Sequence, residues 1–178
     1  MAWLFSLSAE CGSEERKVNQ FAQHFEGREW LLSNRRQCQC GTDTFQDIEE
    51  NWWCRVYPNN TSEVGIDSPE SAYVMTELGI LLYQTLRFAP PFRYALVGVE
   101  VDEFRTYSEL IEDLSNLSIP GLVLAKELNE ELETLPLFQP FSPSHVWQPY
   151  QGEVYNPLSA SPDLNNKLKE LQARLLLG

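Results

Sequence analysis

The chain has 178 residues, of which 43% are hydrophobic and 12% aromatic, enough to bury the core of one domain and too apolar for general disorder. Its 26 acidic and 13 basic residues leave a net charge of −13, which argues against a cationic face for nucleic acid or for an anionic membrane surface. No apolar run approaches the ~20 residues of a membrane span, so neither kind of partner is expected.

Met1 to Leu7 is apolar but short and lacks the basic start of a secretion signal. Trp3, Phe5 and Leu7 alternate with smaller or polar residues, which predicts a first strand over residues 2–9. Ser13 then offers an N-cap, with Glu14 and Glu15 in the first helical turn. Val18, Phe21, Ala22 and Phe25 fall on one helical face, and Gly27 stops the helix. Residues 29–38 and 51–57 read as strands, separated by a polar, acidic loop over 41–50. Ser68-Pro69-Glu70 is the clearest helix start in the chain, and the helix runs to Phe88 before Pro90-Pro91. Its apolar residues cover more than one stripe, so it should be buried on most sides, with Gly79 allowing a close neighbour.

Residues 93–101 form a nearly continuous apolar run, the pattern of a strand enclosed on both faces. A helix is expected over 106–114, a short strand over 121–125 and an acidic helix over 126–135. Residues 136–162 hold six of the eleven prolines together with Phe138, Phe141, Trp147, Tyr150 and Tyr155. The prolines limit regular structure, and the rings are too many to leave in water. The segment therefore reads as an arm wrapped on the domain or docked on a partner. Ser161-Pro162-Asp163 starts a last helix, whose Leu164, Leu168, Leu171 and Leu175 could pack on the domain or pair with a second copy.

These elements give an α+β domain over 1–135, an arm over 136–161 and a C-terminal amphipathic helix over 162–178. The order β-α-β-β-α-β up to Val101 resembles the ferredoxin-like split βαβ unit, an antiparallel sheet with two helices on one face. A mixed or differently ordered sheet is the alternative.

Three groups of residues could carry chemistry. Glu100 and Asp102 alternate with Val99 and Val101 at the end of the buried strand, with Glu103, Arg105 and Tyr107 beyond. Two carboxylates about 7 Å apart on one strand face could do acid–base work or bind a divalent cation, Arg105 assisting. The plainer account is a strand emerging into water. Trp53, Arg55 and Tyr57 share one face of their strand, and such residues dominate protein interfaces, although rings also serve cores. Cys38 and Cys40 could offer two thiolates to a metal, but the usual ligand spacing is absent and reduced structural thiols are expected, with Cys11 and Cys54 completing the set. No phosphate-binding loop or nucleophile motif occurs, and neither His24 nor His145 has a partner suggested by spacing.

The charge is unevenly spread. The first 60 residues carry a net of −3, and residues 61–156 carry −11. These features favour a cytoplasmic interaction or regulatory protein that binds a basic protein surface, with no cofactor implied. The alternative is a carboxylate-based enzyme at Glu100 and Asp102, with or without a divalent metal.

Overall fold

The computed structural model describes residues 4–59 and 68–153, with Asn166 and Lys169 in addition. At its centre is β1 (Phe5–Glu10), all six residues of which are buried. Side chains alternate across a strand, so Phe5, Leu7 and Ala9 face one way and Ser6, Ser8 and Glu10 the other.

The first face is covered by α1 (Glu15–Phe25) and α2 (Pro69–Leu86). α1 starts later than Ser13 suggests. Its N-cap is Glu14, which makes no capping bond and instead pairs with Lys17 at 3.0 Å. α2 begins where expected. Ser68 Oγ accepts from the Ser71 N–H, and Ser71 Oγ accepts from the Ser68 N–H, both at 3.1 Å. Gly79 is required in this helix, because a Cβ there would lie 2.5 Å from Tyr150 Oη.

The predicted strand over 29–38 is a hairpin of β2 (Glu29–Leu31) and β3 (Gln37–Gln46), turning through Arg35 at φ 67°. β3 runs on through most of the segment expected to be a loop. It pairs with β4 (Trp52–Pro58) from Cys40 opposite Pro58 to Gln46 opposite Trp52. Its outward polar residues hide a strand that the ladder with β4 determines. β5 (Tyr94–Val99) pairs with β1 along its length.

Beyond β5 the chain crosses to the second face through α3 (Tyr107–Asp113) and adds β6 (Val123–Ala125). The acidic helix expected over 126–135 is instead two short 3₁₀ turns, 126–128 and 132–134. They are parted by Asn129 in an extended conformation and anchored by buried Leu132. The proline-rich arm holds a second hairpin, β7 (Gln139–Ser142) with β8 (His145–Trp147). β8 pairs with β6, leaving the proline-bearing β7 at the edge, where a missing N–H is tolerated. The arm thus contributes strands to the sheet. The leucine-bearing helix expected over 162–178 lies outside the described residues, Asn166 and Lys169 apart.

The fold is α+β, with one eight-stranded antiparallel sheet in the order β2-β3-β4-β1-β5-β6-β8-β7. This is not the four-stranded ferredoxin-like order. β2 extends one edge, β6, β8 and β7 extend the other, and a second layer covers the far face. Two apolar clusters result. One joins the sheet to α1 and α2. The other joins Trp53, Tyr94, Leu124 and Val146 to Leu110, Leu114, Leu117, Leu122 and Leu132. No helix of the described residues is long and apolar enough to cross a membrane.

Candidate functional site: an acidic layer on a polar strand

The second face is built on the polar side of β1. Glu10 is fully buried, and Arg93 Nε lies 2.9 and 3.0 Å from its two carboxylate oxygens. The Gly12 N–H also donates to this carboxylate. Burial nevertheless raises the Glu10 pKa, outweighing Arg93 and the Gly12 bond. The Arg93 guanidinium is covered in turn by Tyr107, its carbon 3.9 Å from the centre of that ring. The Ser6 and Ser8 hydroxyls are buried with no hydrogen-bond partner among the described residues.

Asp47 organises the β3–β4 loop. Its Oδ1 accepts from the Glu49 and Asn51 N–H groups, and its Oδ2 accepts from Trp53 Nε1 at 2.7 Å. Glu49 then accepts from the Ser108 N–H at 3.2 Å, tying this acidic loop to the start of α3, and the contact with Ser108 lowers the Glu49 pKa. Thr106 caps α3 reciprocally with Glu109.

The residues proposed from sequence separate into distinct places. β5 ends at Val99, and Glu100 sits in a turn at φ 54°. Strand alternation therefore stops, and Glu100 and Asp102 do not share a strand face. Glu100 is exposed, whereas Asp102 lies 2.6 Å from Arg55 in an ion pair that raises the Arg55 pKa. Glu103 is exposed at φ 44°. Arg105 pairs with Asp113 at 2.7 Å. Among the described residues no three His, Cys, Asp or Glu side chains gather as a metal site. Trp53 is fully buried against Tyr94 and Phe104, so it serves the core and is not a surface anchor. Arg55 is partly exposed between Asp102 and Asp43. Tyr57 lies over Gly41 on the facing strand, where a Cβ would meet the ring at 2.5 Å. Tyr107 covers Arg93. Cys38 and Cys40 share one face of β3, both buried, and burial pushes their thiols up to about 11 and about 12.

What the fold does gather is charge. Residues 100–134 hold ten acids and two bases, a net of −8, and α3 and the 3₁₀ turns of this stretch lie in the second layer. Residues 14–28 and 69–87, which contain the helices of the first layer, hold five acids and four bases. Both bases of the acidic stretch are committed, Arg105 to Asp113 and Lys126 to Glu133. Glu103, Glu112, Glu130 and Glu131 are exposed and make no ion pair among the described residues. Glu49 and Glu50 of the β3–β4 loop are half-buried and exposed respectively, and Glu49 bonds to the start of α3. Sequence counting found the excess acid. It missed Glu10 and Arg93, whose only signal was a charge at the end of a buried strand, and Asp47, one acid among several in a polar loop. No protein-family model, curated protein or solved structure matches the chain.

Proposed function

We propose that this is an interaction or regulatory protein of the cytoplasm that binds a basic protein surface through the layer formed by residues 100–134. The observation that carries the reading is the segregation of charge, a net of −8 on one side of the sheet against −1 in the two helical segments on the other. A surface that merely kept the protein soluble would have no need to be one-sided. One-sided charge orients an approaching cationic partner and speeds its encounter. The ion pairs of Arg55, Arg93, Arg105 and Lys126 spend the local cations internally, so the remaining carboxylates present an unneutralised field. The cytoplasmic placement rests on four buried cysteines, all free.

The test compares the wild type with a variant carrying Glu103→Gln, Glu112→Gln, Glu130→Gln and Glu131→Gln. Each is titrated with a panel of basic and acidic proteins at low and high salt. The wild type should bind basic members selectively, and the variant should lose about tenfold or more of that affinity at low salt, the gap closing as salt screens it. Equal affinity of the two chains for every basic member would refute the reading.

A further inference from the structure

A second site lies at the opposite end of the sheet from β2, in the turn of the β7–β8 hairpin. Ser142-Pro143-Ser144-His145 forms this turn, and its polar atoms converge on one imidazole. His145 is buried, and its ring stacks on Phe92 with centres 4.1 Å apart. His145 Nε2 lies 2.9 Å from the Phe92 carbonyl oxygen. A carbonyl oxygen only accepts, so Nε2 carries the proton and Nδ1 offers its lone pair. Ser144 Oγ is 2.8 Å from that Nδ1, with Ser142 Oγ behind it at 3.3 Å. Burial lowers the imidazole pKa, with the Phe92 carbonyl and Glu127 opposing, so the ring is neutral at pH 7. Ser144 itself is exposed. Ser144 and His145 both line a 420 Å³ cavity whose walls also include Leu86, Ala89, Pro91 and Phe92, with charged Arg87, Lys126 and Glu127.

These are the parts of an activated nucleophile: a solvent-facing hydroxyl, a neutral base within hydrogen-bond reach, and a third group fixing the base's tautomer. The Phe92 carbonyl takes the orienting place that a carboxylate holds in a Ser-His-Asp triad. We infer that Ser144 and His145 form a nucleophile–base pair that cleaves small carboxylic esters bound in this cavity. Ser144 Oγ adds to the ester carbonyl carbon while its proton passes to His145 Nδ1. The tetrahedral adduct then breaks its bond to the alcohol oxygen, and the alcohol takes the proton from Nδ1. Water, giving a proton to the same nitrogen, cleaves the acyl-Ser144 ester. The carboxylic acid leaves, and the proton returns to Ser144 Oγ. The apolar walls suit a short acyl chain, and the cavity volume limits the substrate to a small molecule.

The full chain is treated with a fluorophosphonate probe and the modified peptide is located by mass spectrometry, with p-nitrophenyl acetate hydrolysis followed in parallel. One label per chain on Ser144 is expected, together with ester turnover. Ser144→Ala, an exposed truncation that leaves the hairpin ladder intact, should abolish both. His145→Gln should slow labelling at least about 100-fold, the usual contribution of a general base. Ser142→Ala should still be labelled at Ser144. An unlabelled wild type overturns the inference. So does turnover that persists in Ser144→Ala, or a label that moves to Ser142.

Discussion

Removing the hydroxyl of Ser8 should make the protein more stable. Ser8 Oγ is fully buried on the central strand and has no partner among the described residues. A buried hydroxyl without a hydrogen bond costs roughly 1–3 kcal/mol in lost hydration. Ser8→Ala deletes that oxygen and leaves a void of about 15 Å³, which costs about 0.4 kcal/mol at the usual cavity coefficient. The poorer strand preference of alanine takes back a few tenths of a kcal/mol more. A net gain of about 1 kcal/mol remains by this account. Ser6 is in the same condition two residues away, and the two hydroxyls share no partner. The double variant should therefore gain about 2 kcal/mol, close to the sum of the single changes. Urea unfolding followed by tryptophan fluorescence reads this directly. With a slope near 2 kcal/mol/M, each substitution should raise the midpoint by about 0.5 M at unchanged slope. A midpoint that falls by a similar amount in Ser8→Ala would mean that the hydroxyl is bonded in the folded protein. The account of the polar face of β1 would then be wrong.

Gly79→Ala should destabilise the fold although alanine is the better helix former by about 1 kcal/mol. The new Cβ falls 2.5 Å from Tyr150 Oη, and overpacking of this kind costs about 1–3 kcal/mol. Adding Tyr150→Phe should recover part of the loss in thermal melts, and no recovery would place the strain elsewhere. Glu153 accepts from Tyr150 Oη at 2.7 Å, and burial raises its pKa above 4.5 despite that bond. A carboxyl whose folded pKa is raised contributes stability fully below its unfolded value and loses it as pH rises through the folded one. Glu153→Gln, which keeps the acceptor, should therefore be more stable than wild type at pH 8, and the difference should shrink toward pH 5. A difference that grows on acidification would reverse the assigned shift. The four cysteines are buried, and burial holds Cys38, Cys40 and Cys54 at about 11, about 12 and about 12, with Cys11 also raised. A thiol-reactive dye at pH 8 should leave the native protein almost unmodified and label all four in denaturant. Rapid reaction of any one in the native state would contradict its placement.

Local signals set several elements before any tertiary contact is considered. Ser68-Pro69 starts α2 because a side-chain acceptor and a residue without an N–H suit the first turn of any helix. The alternation in Trp52–Tyr57 put Cys54 and Val56 on one side and Trp53 on the other, since side-chain direction in a strand has period two. Composition alone exposed the acidic excess and its position along the chain. Other features needed partners remote in sequence. β3 is a strand because β4 supplies its ladder, not because Gly41–Gln46 is apolar. Residues 139–147 are strands because β6 offers an unpaired edge. Glu10 is tolerable in the core because Arg93, 83 residues away, reaches its carboxylate. Glu100 and Asp102 part company because a left-handed turn ends β5 between Val99 and Asp102. The opening charge of −13 likewise belongs to the sequence. Only the tertiary structure turned it into a one-sided surface, because the chain crosses the sheet after β5 and carries its most acidic stretch to the face opposite α1 and α2.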